Sequence, residues 1–164
     1  MTNHSDPPAV EPMPLPKWLL RVMNPVMRWL AKKKWGPAEI AVLAFTGVKS
    51  GRSYEIPVGI LHLDEGVGVL TRGKWRHNFR GGHPVTVTAG GRTRETVGTL
   101  VTDPAEVADE LHRGIRRHGY QRAGRRMGLK VNVDHEPSLD ELTDAVRRTS
   151  IAIVYLGGGA LPNR

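Results

Sequence analysis

The chain has no cysteine. That excludes a disulfide framework, a thiolate nucleophile and any cysteine-ligated metal, and it fits a reducing compartment. No apolar run approaches the roughly 20 residues needed to cross a bilayer. The opening, Met1–Pro16, lacks the basic start and apolar middle of a secretory leader. No internal repeat is visible. The seven histidines fall at no metal-ligand spacing: His77 and His83 lie in a loop, and His112 and His118 stand six apart, off a single helix face. No Ser/His/Asp set or carboxylate pair sits in a motif context. What remains open is binding chemistry, or a reaction in which a cofactor does the work and the protein binds, orients and excludes water.

Acidic residues are the scarcer charge. There are 16 Asp+Glu against 24 Lys+Arg in 164 residues, a formal net charge of +8. Such an excess favours anionic partners: phosphates, nucleic acid or an acidic membrane surface. The length suits one domain with a real core, and 39% hydrophobic with 24% charged residues is ordinary for a globular protein.

Along the chain, Met1–Pro16 is rich in proline and polar residues and is expected to be a flexible arm. Lys17–Trp35 forms an amphipathic segment with no acidic residue. On a helical wheel Trp18, Leu19, Val22, Met23, Val26, Met27, Trp29 and Leu30 share one broad arc, with Arg21, Asn24, Arg28 and Lys32 opposite. Asn24-Pro25 has the form of an N-cap and first helical residue, which predicts a kink or a restart there. Residues 38–156 form the body, and 157–164 a tail. In the body Ile40–Thr46 is a compact apolar run. Ile56–Leu63 and Val67–Thr71 flank the turn Asp64-Glu65-Gly66, and Val85–Thr88 and Thr93–Val101 flank Gly90-Gly91, two hairpin signals. Asp103-Pro104 predicts a capped helix to about His118, and an arginine-rich helical piece follows near Tyr120–Met127. Ser138-Leu139-Asp140-Glu141 is a capping box for a helix to about Arg148, and Ile151–Leu156 is a last strand. Short strands at hairpin spacing with peripheral helices predict an α+β fold built on a small antiparallel barrel.

Two cation-rich turns lie one hairpin apart: Thr46-Gly47-Val48-Lys49-Ser50-Gly51-Arg52, and Thr71-Arg72-Gly73-Lys74-Trp75-Arg76-His77-Asn78-Phe79. Glycines let backbone amides approach an anion closely. Lysine and arginine add charge, and arginine can grip phosphate or carboxylate with two parallel hydrogen bonds. The pair suits a ligand with a polyanionic tail and a flat ring walled by Trp75. Each element also fits a plainer role. Thr46–Arg52 alone reads equally as a solvated turn, Trp75 as a packed rim aromatic, and Asn78 as a cap.

Those motifs, followed by Pro84-Val85-Thr86-Val87, resemble the deazaflavin-dependent nitroreductase family, within the split β-barrel flavin and deazaflavin oxidoreductases known chiefly from actinobacteria. The likeness runs from about Ala38 to Leu156. It implies a split antiparallel β-barrel of the FMN-binding split-barrel kind, and hydride transfer from reduced coenzyme F-420 to a quinone, nitroaromatic or enone. By resemblance, Lys49, Ser50, Gly51 and Arg52 take the acidic tail of the cofactor. Pro57 and Val58 lie near its ring, with Leu70, Thr71, Arg72 and Lys74 across from them. Trp75 and Asn78 match the family's tryptophan and asparagine beside the cofactor, and Tyr120 matches one of its substrate-facing tyrosines.

Three other readings accompany this one. Riboflavin phosphate (FMN) could replace the deazaflavin, the chain could be a non-catalytic ligand carrier, or it could bind nucleic acid. Only Tyr120 interleaves Arg113, Arg116, Arg117, Arg122, Arg125 and Arg126, which is thin support for base stacking; a solvated face is the favoured reading of that cluster. The expected setting is cytoplasmic, as monomer or homodimer. Lys17–Lys34 is open either to packing on the barrel or to peripheral contact with the inner face of the membrane.

Overall fold

A computed structural model describes residues 8–13, 17–33, 39–127 and 129–157, with the backbone alone at 17–23, 125 and 126. Both ends of the expected arm, the apolar side chains from Trp18 to Met23, the Arg125 and Arg126 side chains and the tail from Gly158 lie outside the described residues. Along the chain come β1 (Val10–Pro12), α1 (Lys17–Ala31), β2 (Ile40–Thr46), β3 (Ser53–Gly59), β4 (Leu61–Leu63), β5 (Gly66–Thr71) and a 3-10 helix (Lys74–Phe79). Then follow β6 (His83–Ala89), β7 (Arg92–Val101), α2 (Pro104–His118), α3 (Tyr120–Met127), β8 (Leu129–Val131), α4 (Leu139–Thr149) and β9 (Ala152–Leu156). The chain divides into two compact units, Leu15–Val101 with Ile153–Arg164, and Met1–Pro14 with Thr102–Ala152. The stretch 38–156, read from the sequence as one domain, therefore holds parts of both.

The first unit is built on a seven-stranded sheet in the order β3-β2-β6-β7-β9-β5-β4. β2 pairs antiparallel with β3 and β6, β6 with β7, β7 with β9, and β4 with β5. The sheet curls until β3 touches β5. This is a split antiparallel barrel in an α+β fold. Alternation along the strands sends Leu43, Phe45, Val58, Val85 and Val87 into one core with Val67, Val69, Val154 and Leu156. Gly90 and Gly91 carry φ of 54° and 71°, the two positive values that a tight hairpin turn demands and that glycine supplies at little cost. The expected strand Ile56–Leu63 is two strands. Ile60 leaves the ladder, its N–H donating to Glu39 O at 2.8 Å, because β3 pairs with β2 while β4 pairs with β5. β3 also starts early, since the hairpin register matches Thr46 with Ser53 and Phe45 with Tyr54.

α1 runs unbroken through Pro25, so the predicted restart at Asn24-Pro25 does not occur. A proline inside a helix forfeits one backbone hydrogen bond. Here tertiary contact offsets that loss: α1 lies on β2 and β3, Ala31 is buried, and its carbonyl accepts from Gly91 N–H at 3.1 Å.

In the second unit, Val10–Pro12 pairs with Leu129–Val131, where a flexible arm was expected. Val10 is buried, and Asn132 reaches back with its N–H to Ala9 O and its side-chain amide to Pro8 O, each at 2.8 Å. A three-residue strand flanked by prolines carries too short an alternation to be read. Asp103 caps α2 by accepting from the N–H groups of Ala105 and Glu106. The Ser138/Glu141 capping box starts α4 as predicted.

Phe79 has no exposed surface and packs where Gly98 lacks a side chain: a Cβ at Gly98 would stand 2.5 Å from its ring. Gly98→Ala is expected to lower the unfolding free energy by about 1–3 kcal/mol through overpacking. Adding Phe79→Leu should cost less than the sum of the two changes in a urea-denaturation cycle. Strict additivity would show that the two sites do not share this space.

Candidate functional site

After β2 the chain turns tightly. Gly47 N–H donates to Arg52 O at 2.8 Å and Gly51 N–H to Gly47 O at 2.9 Å, with Gly51 at φ 63°. Any side chain at Gly47 would run into Ser50 Oγ and the Tyr54 ring at 2.5 and 2.7 Å. Ser50 Oγ accepts from Arg52 N–H at 3.3 Å and shares a hydrogen bond with Tyr54 Oη at 3.1 Å. The loop is thus tied internally by backbone and hydroxyl bonds. The side chains of Lys49 and Arg52 stay exposed, without an ion pair among the described residues.

The second turn is anchored by aromatics. Trp75 is half-buried, 5.8 Å from Phe79 edge-on and 6.3 Å from Phe45 between centroids. Phe45 stacks on Tyr54 at 5.5 Å. Gly73 passes so close to the Trp75 indole nitrogen that no Cβ would fit. Its N–H donates to Thr71 Oγ1 at 2.9 Å, and Arg76 Nη1 donates to Thr71 O at 3.2 Å. Asn78 joins the two turns across thirty residues: its Oδ1 accepts from Val48 N–H at 2.9 Å while its Nδ2 donates to Trp75 O at 2.8 Å. His83 Nε2 adds a second tie by donating to Thr46 O at 2.7 Å.

Cations gather at this junction. The His77 imidazole is held below the ordinary histidine value, first by desolvation and then by the charges of Arg80, Arg76 and Lys49. Lys49 from the first turn and Arg76 and Arg80 from the second therefore act on one group. Charges of one sign placed together are an attractive field for an anion.

The expected site residues separate into groups. Lys49, Ser50, Gly51, Arg52, Trp75 and Asn78 belong to the joined turns. Leu70 and Thr71 are half-buried at the end of β5, and Arg72 and Lys74 are exposed just beyond it. Pro57 is half-buried on β3, which touches β5, whereas Val58 points into the core. Tyr120 opens α3 in the other unit, its hydroxyl donating to Asp134 O at 3.2 Å. Of the arginine cluster, Arg113 is paired with Asp109 and Glu110 at 2.9 and 3.4 Å. Sequence reasoning missed Tyr54, Arg76, His77 and Arg80. Tyr54 was readable from the hairpin, which sets it opposite Phe45. Arg76 and His77 lie inside the second cation-rich motif, of which only Thr71, Arg72, Lys74, Trp75 and Asn78 were given a role.

A cavity of about 450 Å³ opens on strands β2, β3, β6 and β7, and Phe45, Thr46 and Tyr54 beside the first turn are part of its lining. The paired row Glu55–Ala44–Thr86–Glu95 lines it together with Phe45 and Tyr54. None of the expected site residues lines it. Its two glutamates carry the wrong sign for an acidic ligand, so the geometry of the turns outweighs its volume. Among the described residues no three His, Asp or Glu side chains could hold a metal, and no helix is long and apolar enough to cross a membrane.

No protein-family model matches the chain, and no curated protein matches it in sequence. Solved structures similar to it include HutZ, the heme storage protein from Vibrio cholerae, at 12% identity and a TM-score of 0.42, covering 82% of this chain and 89% of that one. An F-420 reductase is similar at 13% identity and a TM-score of 0.38, covering 80% and 92%. Superpositions this loose leave the architecture resting on the strand order and register given above.

If the junction is cationic as described, His77 should titrate below the usual histidine value when followed by NMR of its ring protons. Because the fold binds this proton more weakly than the unfolded chain does, the associated stability is full above the unfolded value and is lost as pH falls through the folded one. Arg80→Ala or Lys49→Ala should raise the titration midpoint, and so should inorganic phosphate. A midpoint indifferent to all three would mean that these charges do not meet at His77.

Proposed function

We propose that this chain is a cofactor-dependent oxidoreductase of the deazaflavin type. In this reading it holds reduced coenzyme F-420 at the joined turns and serves a small organic acceptor such as a quinone, nitroaromatic or conjugated enone. The observation that supports it most is the Val48–Asn78 hydrogen bond, which unites two segments that the sequence likeness assigns to one ligand. The donor set fits the group. Lys49 and Arg52 offer exposed charges for phosphate and carboxylates, and Lys49, Arg76 and Arg80 build a shared field. The half-buried Trp75 and the 38% exposed Tyr54 offer aromatic surface beside the turn.

The deazaflavin supplies the hydride when it is bound. The chain's own residues hold and orient. Lys49, Ser50, Gly51 and Arg52 take the anionic tail, and Trp75 with Leu70 and Thr71 shapes the ring wall. In this reading Arg72 and Lys74 supply the cations that stabilise negative charge developing on the acceptor. No side chain has to act as nucleophile, which agrees with the lack of an activated one in the sequence.

The test is a side-by-side titration with oxidised coenzyme F-420 and riboflavin phosphate, followed by turnover with a quinone. Lys49→Ala and Arg52→Ala should each weaken F-420 binding by about 1.5–3 kcal/mol, the worth of a charge-assisted hydrogen bond. A cofactor with a truncated acidic tail should lose less. Equal losses would put the tail elsewhere, tighter binding of riboflavin phosphate would replace the cofactor, and binding without turnover would make the protein a carrier.

A further inference from the structure

Among the described side chains of α1, the barrel covers only part of the apolar surface. Met27 and Leu30 are half-buried and Ala31 is fully buried, on the side that meets β2 and β3. Val26 and Trp29, three apart and so on one side of the helix, are 52% and 59% exposed. Cations surround them. Lys33 Nζ lies 5.1 Å from the centroid of the Trp29 ring, Arg28 and Lys32 are exposed, and no acidic residue occurs from Lys17 to Lys34. Lys32 approaches Glu55 at 4.0 Å, a half-exposed pair that contributes little to stability.

We propose that this outer face of α1 docks on the headgroup layer of an anionic lipid bilayer, with the helix lying in the plane of the interface. The combination of features selects that partner. An indole beside an ammonium has an apolar body and a charged tip, the arrangement that suits the boundary between headgroups and acyl chains. Among the described residues of α1 two exposed apolar side chains fall far short of the roughly 800 Å² per partner of a stable protein interface, whereas a lipid surface needs only shallow insertion plus charge attraction. A nucleic acid would use the cations and leave Val26 without a role. The excess of +8 over the whole chain adds attraction in the same sense. The inference stands independently of the cofactor reading, since neither α1 nor its patch belongs to the joined turns.

The experiment is flotation of the full chain with vesicles of phosphatidylcholine alone and of phosphatidylcholine mixed with phosphatidylglycerol, at low and high salt. Binding is expected on the mixed vesicles, weakening with salt. Arg28→Gln and Lys33→Gln should each reduce it about fivefold. Trp29→Ser should reduce it on the order of tenfold through lost apolar insertion, with the thermal midpoint and cofactor titration unchanged because this side chain is exposed. Absence of flotation at low salt overturns the proposal, and so does equal binding to both vesicle types. If Trp29→Ser instead turns a dimer into monomers by light scattering, a second copy of the chain covers this face and the lipid assignment fails.

Discussion

Phe79 is wholly buried between Gly98, Phe45, Trp75 and His83, and this seat sets the position of everything around the cationic turns. It closes the 3-10 helix at one end, and Trp75 pins the other against Phe45. Each such aromatic pair is worth about 0.5–1.5 kcal/mol beyond its burial, so a short helix with poor internal bonding is held rigidly. Asn78 stands between the two anchors. Its amide therefore has little freedom, and its Oδ1 meets the Val48 N–H of a loop thirty residues away. Gly98 is the permissive element, since a side chain there would push Phe79 out and carry Asn78 with it.

Charge distribution matters more in this chain than its total. Many of the cations in the helical unit are neutralised by close carboxylates: Arg113 by Asp109, Arg148 by Asp144 and Lys130 by Glu11. Lys49 and Arg52 lack such partners among the described residues, and Lys49, Arg76 and Arg80 bear together on His77. Strand alternation keeps the acids of the same sheet away: Glu55 and Glu95 sit on the face opposite Phe45. One sheet thus offers a cavity bearing two acids and, at its strand ends, a cationic rim whose aromatics Phe45 and Tyr54 also line that cavity. An anionic ligand has reason to choose the rim over the two glutamates of the cavity.

α1 shows how a sequence pattern can be right about amphipathicity and silent about its use. The wheel gives one broad apolar arc, and nothing in it separates residues that pack on β2 and β3 from residues that face outward. The barrel takes Ala31 completely and Met27 and Leu30 in part, leaving Val26 and Trp29 exposed. Proline at position 25 illustrates the same limit from the other direction. Local propensity predicts a break, and contact with the sheet keeps the helix whole.

The elements whose cause is local were legible in the residues themselves. A compact apolar run marked β2, Gly90-Gly91 marked the hairpin of β6 and β7, and Asp103 and Ser138 marked the starts of α2 and α4, because turn dihedrals and caps depend on residues a few positions apart. The sequence also placed Lys49, Ser50, Gly51, Arg52, Trp75 and Asn78 in two adjacent motifs. The remaining features depend on partners distant in the chain. The pairing of β1 with β8, the change of partner at Ile60, the joining of the turns by Asn78 and the gathering of Arg76 and Arg80 with Lys49 all require contacts that no short window contains. Tyr120 and Val58 make the same point: one opens a helix of the other unit and one is sunk in the core, since burial is settled by which strands and helices meet.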